Sequence, residues 1–180
     1  IGRAIALGLA QEGCDVVICA RGEENVTRTA MEVGQVYTKQ HGQYQGHHGA
    51  IGMWNKDVLL PETAQEVMYR IIKELGALHI LVNNVGGGGR WGKEIKEIEE
   101  EDYNIWQQVY ERNAGAAIRF TMAALPHLLT QRWGRVVTIS SIHGREAGGR
   151  PWFSVAKSAE IALMKSLSQE KKLVRAGITF

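Results

Sequence analysis

The stretch LHILVNN, residues 78–84, decides the fold class because it is apolar along most of its length and turns polar only at its end. A short run of this kind predicts a strand buried on both faces, as in a parallel sheet covered by helices. GRVVTISS, residues 134–141, has the same form, and so does CDVVICA, residues 14–20. GAIGMW, residues 49–54, predicts a weaker strand, and residues 177–180 begin a last one.

Segments with helical periodicity separate these strands, at residues 3–11, 23–40, 61–75, 102–130 and 152–176. Strands that alternate with helices predict a doubly wound parallel α/β sheet with helices on both faces. Pro61 is expected at the first position of its helix, where a missing N–H is tolerated. The sequence has no internal repeat and no linker, so residues 1–180 are predicted to form a single domain.

The composition is that of an ordinary soluble globular protein. Hydrophobic residues make up 44% of the 180 residues and charged residues 22%. The net charge of +2 is too small to indicate a nucleic-acid partner or a membrane surface. No apolar run approaches the roughly 18 residues that a membrane span requires.

Cysteine and histidine usage predicts neither a disulfide nor a metal site. Cys14 and Cys19 lie in one short segment at an odd spacing, which points them to opposite faces of a strand. They are predicted to be buried free thiols in a reducing cytoplasm. His47 and His48 have no further ligand at metal-binding spacing.

Polar and glycine residues follow the apolar runs directly, and a doubly wound sheet binds its ligand at the carboxyl ends of its strands. The four strand ends carry Ala20-Arg21, Asp57-Val58, residues 83–86 and Ser140-Ser141. Any one of them alone is ordinary turn chemistry. Together they predict a crevice for a ligand.

Five motifs, in order, resemble the short-chain dehydrogenase/reductase family, and in particular the branch that includes 3-oxoacyl-acyl-carrier-protein reductases. IGRAIA, residues 1–6, is similar to the end of the family's glycine-rich loop and the helix after it. The pair at 57–58 resembles its adenine-pocket pair, and NNVG, residues 83–86, its N-N-A-G. SSIHG, residues 140–144, resembles its serine strand, and FSVAK, residues 153–157, lies where the family has Y-x-x-x-K.

The resemblance implies that the chain is a fragment of a Rossmann-like domain, truncated at both ends. The family's first strand and glycine-rich loop would precede Ile1. Its substrate-binding loop and seventh strand would follow Phe180. Without the central strand, the sheet is expected to have a gap with unpaired backbone groups beside it.

The resemblance also implies a dinucleotide site. A pyrophosphate is bound by N–H groups at a helix N-terminus, which Ile1 and Gly2 would open. Asp57, with the main chain of Val58, would accept a hydrogen bond from the adenine amine. The remaining positions, where the backbone runs close to the adenosine ribose, are Asn84, Val85 and Gly86.

The end of the second family strand distinguishes NAD from NADP. An acidic residue there would bond the ribose 2′-hydroxyl, but this chain has Ala20 followed by Arg21. A guanidinium suits a 2′-phosphate, so NADP(H) is predicted. The alternative is that Arg21 is an ordinary surface charge.

By the same resemblance, the catalytic positions are Asn113, Ser141, residue 153 and Lys157. In the family a hydride moves between the nicotinamide and a carbonyl or secondary-alcohol carbon, and a tyrosine at position 153 handles the proton. Lysine lowers the tyrosine pKa and binds the ribose, serine polarises the carbonyl, and asparagine holds a water. Phe153 keeps the ring but has no proton to donate, and losing a general acid costs about 100- to 10,000-fold in rate.

Several alternatives follow from the missing hydroxyl. In the first, another group supplies the proton: Ser141, a water held by Lys157 and Asn113, His143 or Tyr110. In the second, the chain binds the cofactor but has changed chemistry or a regulatory role. In the third, the phenylalanine is a deliberate replacement or a sequence error. The predicted function is an NADP(H)-dependent oxidoreductase for a small carbonyl or alcohol substrate; the alternative is a cofactor-binding protein without hydride transfer.

Family members commonly form tetramers through two long helices, which correspond to residues 102–130 and 152–176. A homo-oligomer is therefore implied here. Small residues suit such an interface, although they also suit packing within one chain: Ala114, Ala116, Ala117, Ala156, Ala159 and Ala162.

Overall fold

The computed structural model describes residues 1–42, 50–53, 56–88 and 102–180. His47 and His48, for which no metal site is predicted, lie outside these ranges. The chain divides into two compact units, Ile1–Gly76 and Ala77–Phe180. The single-domain organisation over residues 1–180 stays a prediction.

The first unit consists of helices packed on a pair of parallel strands. Its described elements are α1 (Gly2–Gln11), β1 (Val16–Cys19), α2 (Glu23–His41), β2 (Ala50–Met53) and α3 (Thr63–Leu75). The two strands pair in parallel, with Val16 opposite Ala50. Ala10 of α1 and Val33 of α2 are fully buried in the core between these elements, and the alanine allows the two helices to approach closely.

Helix α3 begins later than its proline predicts. Pro61 precedes the N-cap residue Glu62, and the first helical residue is Thr63. Tight turns take up the preceding residues, because Leu60 N donates to Asp57 O and Thr63 N donates to Leu60 O. The placement of Pro61 at the first helical position was therefore wrong.

The second unit has a parallel three-stranded sheet with β4 in the middle. Its described elements are β3 (Ile80–Asn83), α4 (Asp102–Tyr110), a π-helical turn (Glu111–Gly115), α5 (Ala116–Gln131), β4 (Gly134–Thr138), a 3₁₀ turn (Ile142–Gly144), α6 (Pro151–Leu167), α7 (Lys171–Arg175) and β5 (Ile178–Thr179). Ile80 lies opposite Arg135, and Gly134 lies opposite Ile178. The predicted parallel α/β class is confirmed.

Both long predicted helices are interrupted. The helix predicted at 102–130 contains the π-helical turn, where the buried Asn113 side chain bonds backbone groups. The helix predicted at 152–176 stops at Leu167, where the Ser168 hydroxyl donates to Lys165 O and competes with the helical ladder. The strand predicted at 134–141 also ends early, at Thr138.

Four of the six small residues considered for an interface are buried within the chain itself. Ala114, Ala116, Ala117 and Ala156 are at most 4% exposed. They pack inside the second unit, so the intramolecular alternative accounts for them. The homo-oligomer stays a prediction. In the described ranges, no helix combines the length and apolar character needed to cross a membrane.

Aromatic rings join α4 to α6. Trp106 lies 5.3 Å from Tyr103 and 6.0 Å from Tyr110, measured between ring centroids. It also meets Trp152 of α6 edge-on at 6.2 Å. This aromatic cluster (Tyr103, Trp106, Tyr110 and Trp152) holds the start of α6 against α4.

Candidate active site

The glycine loop after β3, residues 86–88, contacts three of the predicted catalytic side chains. A Cβ atom placed on Gly86 would lie 2.5 Å from Asn113 Oδ1 and 2.9 Å from Lys157 Nζ. A Cβ atom on Gly88 would lie 3.5 Å from Phe153 Cβ. The structure therefore brings Gly86, Asn113, Phe153 and Lys157 together.

Asn113 ties the π-helical turn to the glycine loop. Its Oδ1 accepts from Gly87 N at 3.0 Å, and its Nδ2 donates to Gly87 O at 3.1 Å and to Val109 O at 2.7 Å. The side chain is fully buried. These three hydrogen bonds hold both the glycine loop and the π-helical turn in place.

Lys157 is buried and held by three acceptor atoms. Its ammonium donates to Ile139 O at 2.9 Å and to the two carboxyl oxygens of Glu160 at 2.9 and 3.0 Å. Glu160 is 1% exposed and lies one helical turn along α6. Burial raises the pKa of the Glu160 carboxyl, although its bonds with Lys157 and Ser140 act in the opposite direction.

Phe153 occupies the position one turn before Lys157 on α6. Its ring centroid lies 5.7 Å from Lys157 Nζ, and the side chain is half-buried. Helical spacing of four residues places the two side chains on the same face. The ring thus fills the site without bringing a titratable atom to it.

Ser141 caps the 3₁₀ turn that packs on α6. Its Oγ accepts from His143 N at 3.3 Å. The neighbouring Ser140 Oγ donates to Lys157 O, and Ser158 Oγ donates to Gly144 O, which ties this segment to the helix. The serine predicted to polarise a carbonyl is therefore carried by a segment bonded to the helix of Phe153 and Lys157.

Two of the alternative proton donors have distinct surroundings. Within the described residues, His143 Nδ1 is buried without a hydrogen-bond partner. A Cβ on Gly149 would lie 2.6 Å from His143 Cγ, so the imidazole lies directly against that loop. Tyr110 belongs to the aromatic cluster, where its ring has a packing role.

In the first unit, the structure brings Arg21 and Asp57 together. Arg21 Nη1 lies 4.0 Å from Asp57 Oδ2, and the Arg21 side chain is 67% exposed. Asp57 Oδ1 accepts from Leu59 N at 3.0 Å, and Val58 is buried. The guanidinium is fixed loosely and remains open to an anion.

Ile1 and Gly2 lie at the start of α1. Ile1 is its N-cap residue and is 82% exposed, and its side chain makes no capping hydrogen bond. Asn84, Val85 and Gly86 follow β3, with Asn84 half-buried and the other two exposed. The predicted cofactor residues belong to both units: the first contains Ile1, Gly2, Arg21, Asp57 and Val58, and the second contains Asn84, Val85, Gly86 and Lys157.

The donor set suits a nicotinamide dinucleotide. Gly86 lets its backbone lie close to Lys157, where a Cβ atom would be only 2.9 Å from Nζ, and the exposed Arg21 offers a guanidinium that binds phosphate well. Each unit thus offers residues that suit part of a nicotinamide dinucleotide.

Sequence reasoning missed Glu160 and Gly87. Gly87 contributes only backbone atoms, for which the sequence carries little signal. Glu160 had a signal: it is the one acidic residue in the helix of residues 151–167, three positions after Lys157. Opposite charges at that spacing lie on one helix face.

A sequence model described as short chain dehydrogenase matches residues 1–179. The chain therefore belongs to the short-chain dehydrogenase family. The predicted resemblance is confirmed.

Relatives of known name agree with this family. The chain is 30% identical over 180 residues to the 3-oxoacyl-[acyl-carrier-protein] reductase FabG of Escherichia coli, covering 99% of this chain and 65% of that protein. It is 30% identical over 177 residues to the uncharacterized oxidoreductase YvrD of Bacillus subtilis, covering 96% and 59%. The chain thus spans about three fifths of the length of these relatives.

Solved structures show the same fold. An actinorhodin polyketide ketoreductase solved with NADPH superposes with a TM-score of 0.83 at 30% identity, covering 99% of this chain and 62% of that one. A 7α-hydroxysteroid dehydrogenase complexed with NADH and 7-oxo glycochenodeoxycholic acid superposes with a TM-score of 0.81 at 21% identity, covering 98% of this chain and 62% of that one. The second likeness concerns the fold alone.

Proposed function

We propose that this chain carries the cofactor site and most of the catalytic site of an NADP(H)-dependent oxidoreductase that interconverts a ketone and a secondary alcohol. The observation that supports it most is the meeting of Gly86, Asn113 and Lys157 in a chain of the short-chain dehydrogenase family. The relatives named as reductases of 3-oxoacyl groups and of polyketides favour a ketone substrate.

Each site residue has a definite task in this proposal. Lys157 and the backbone at Gly86 hold the nicotinamide ribose, and the first turn of α1 holds the pyrophosphate. The Ser141 hydroxyl donates to the substrate oxygen, where negative charge develops. Asn113 keeps the loop at Gly87 in place. The bound nicotinamide supplies or accepts the hydride.

Arg21 carries the proposed preference for NADP(H). Its exposed guanidinium lies beside Asp57, the proposed acceptor for the adenine amine. A 2′-phosphate would find a charged, bidentate donor there, whereas a 2′-hydroxyl would gain little.

Cofactor titrations on the full protein test this preference. Arg21→Ala is expected to weaken NADPH binding about 10- to 100-fold, the equivalent of about 1.5 to 3 kcal/mol for a charged hydrogen bond, with little change for NADH. Arg28→Ala is the matched control, because Arg28 is an exposed arginine of the same unit that bonds only Asn25 in the contacts described. Equal losses for both cofactors would contradict the proposal.

The second candidate function is cofactor binding without hydride transfer. Phe153 favours it, since the side chain one turn from Lys157 offers no proton. Both candidate functions predict that the protein binds NADPH, but only the oxidoreductase predicts that NADPH is oxidised.

Turnover measurements separate the two candidates. NADPH oxidation is followed with a panel of ketones and 3-oxoacyl thioesters, for the full protein and for Phe153→Tyr, with NADPH binding measured on both. Turnover by the unaltered protein supports the oxidoreductase. Binding by both proteins with turnover only in the variant supports the second candidate, and a protein that binds no dinucleotide contradicts both.

A further inference from the structure

The carboxyl group of Glu160 is the closest titratable partner that the structure gives to Lys157. Both of its oxygens lie within 3.0 Å of Lys157 Nζ, and the two side chains are at most 5% exposed. A buried charge pair of this kind is costly to desolvate and is a weak source of stability. Its position inside the candidate site calls for a chemical explanation.

The surroundings of Glu160 contain few other charged groups. Lys157 and Lys165 share α6 with it, and the end of β4 contributes the Ser140 hydroxyl. From the π-helical turn, the buried side chain beside Lys157 is the uncharged amide of Asn113. The protonation state of the Lys157–Glu160 pair is therefore determined mainly by these two groups.

A cavity lies against Glu160. A cavity of about 450 Å³ is lined by Ser140, Glu160, Met164, Phe180 and neighbouring residues of β4 and α6. Ser140 contacts Glu160 and lines the same cavity. Glu160 thus contacts both this cavity and the Lys157 ammonium.

We propose that Glu160 is a positioning residue that returns protons to Lys157, so that the Lys157 ammonium acts as the acid in place of a phenol. This inference rests on the proposed oxidoreductase function. The proton that a tyrosine would supply then comes from two side chains that are hydrogen-bonded to each other.

In reduction, the proton passes from Lys157 to the substrate oxygen. When the carbonyl carbon takes a hydride from the reduced nicotinamide cofactor, its oxygen gains negative charge and takes a proton from Lys157 Nζ; an O–H bond forms and an N–H bond breaks. The Glu160 carboxylate takes up a proton through the cavity and passes it to the amine, which restores the ammonium and the carboxylate. Alcohol oxidation runs the same transfers in reverse.

Burial supports this role because it raises the pKa of Glu160, so that at a given pH its carboxyl is protonated more often than an exposed one. Acid catalysis is most effective when the pKa of the donor lies near the working pH.

A double-mutant cycle in the full protein tests the inference. Glu160→Gln is expected to lower kcat about 10- to 100-fold, with NADPH affinity changed less than about 3-fold. Adding Phe153→Tyr restores a phenol, so Glu160→Gln is expected to cost much less in that background. Glu170→Gln, which removes an exposed carboxyl in the same unit, is the matched control and should change neither quantity.

The pH profile separates proton supply from support of the structure. Glu160→Asp keeps a carboxyl and should retain the pH dependence of kcat/KM, whereas Glu160→Gln should lose the limb that belongs to the pair. NMR of isotope-labelled glutamate in the unaltered protein provides a readout that needs no turnover and no variant. One carboxyl should titrate at a higher pH than the others.

The outcomes are distinct. Turnover by the unaltered protein with an equally active Glu160→Gln, or equal losses in both backgrounds, overturns the inference and leaves the oxidoreductase intact. A glutamate spectrum in which every carboxyl titrates together overturns it as well, even where Glu160→Gln does not fold. A protein that binds NADPH and never oxidises it overturns both, because no proton is then supplied.

Discussion

Gly86 has space for a hydrogen atom and for no larger group. Gly86→Ala would place a methyl group 2.5 Å from Asn113 Oδ1 and 2.9 Å from Lys157 Nζ, so the buried amide or the ammonium must move. We expect a loss of about 1 to 3 kcal/mol in unfolding free energy, and weaker NADPH binding. Urea denaturation and cofactor titration measure the two effects.

Gly88→Ala is the control for this substitution. Its methyl group would lie 3.5 Å from Phe153 Cβ, which is an ordinary van der Waals contact. A loss at position 88 equal to that at position 86 would show that the loop backbone, and not the contact with Asn113 and Lys157, limits the site.

Cys19 is expected to react slowly. Burial raises the pKa of its thiol to about 11, although Lys56 acts in the opposite direction. The thiolate is the nucleophile, and its fraction at pH 8 is then about 100-fold smaller than for an ordinary thiol of pKa near 8.5 to 9. Iodoacetamide labelling followed by mass spectrometry should show slow modification in the folded protein and ordinary rates in urea; equal rates would refute the assignment.

At this scale the sequence was informative where a motif has fixed spacing. The resemblance named Asn113 and Lys157, and the structure places both beside Gly86. It did not name Glu160, because the three-residue spacing from Lys157 shows only that the two side chains share a helix face, and their burial is known only from the structure. Backbone partners such as Gly87 and Ile139 depend on the path of the chain, which side-chain identity does not encode.

The π-helical turn is the element that brings Asn113 into the site. Asn113→Ala would remove three hydrogen bonds and leave both polar groups of Gly87 without their side-chain partner. We expect a loss of about 3 kcal/mol in unfolding free energy, since buried unpaired groups cost about 1 to 3 kcal/mol each. Urea denaturation measures it.

Asn25→Ala is the surface control for the asparagine, because Asn25 is exposed and accepts from Arg28. A loss at Asn113 no larger than at Asn25 would mean that the turn is held by packing alone. In the expected case, NADPH affinity should fall together with stability, because the glycine loop loses its anchor.

The periodicity of the sequence predicted the helices and strands but not their interruptions. Apolar spacing reports which face of a helix is buried, and it passes through a π-helical turn with little change, so residues 102–130 were predicted as one helix. The break after Leu167 depends on the Ser168 hydroxyl, which donates to Lys165 O in place of a helical backbone N–H. In many helices serine does not interrupt the backbone hydrogen bonds in this way, so its presence alone does not predict a break. Apolar periodicity alone therefore predicts neither the π-helical turn nor the break after Leu167.

On the scale of the whole molecule, stability is expected to fall as the pH rises through the titration of Glu160. The folded protein keeps a proton on this carboxyl where the unfolded chain has released it, because burial raises its pKa above the ordinary value. The unfolding free energy therefore decreases from the ordinary carboxyl pKa up to the raised one. Each unit of difference corresponds to about 1.4 kcal/mol.

Urea unfolding from pH 5 to pH 8 checks this sign. Glu160→Gln cannot release a proton, so its unfolding free energy should fall less steeply with pH than that of the unaltered protein. Glu170→Gln should follow the unaltered protein. A steeper fall in Glu160→Gln would assign the effect to other groups.

The fold class followed from the sequence because alternating apolar runs and helical segments allow few architectures other than a parallel α/β sheet. The register of the strands did not follow from it. Ile80 lies opposite Arg135 through pairing between segments more than fifty residues apart, and local pattern does not specify such partners. The same holds for Arg21 and Asp57, which are distant in sequence and meet at the ends of β1 and β2.

The aromatic cluster has a consequence for spectroscopy. Trp106 and Trp152 are close enough, at 6.2 Å between ring centroids, for their excited states to couple. Trp152 precedes Phe153 directly, so its emission reports from beside the candidate site. Reduced nicotinamide absorbs in the range where tryptophan emits, and a bound cofactor should therefore quench this emission by energy transfer. The protein carries its own optical probe for the titrations that its chemistry requires, without an attached dye.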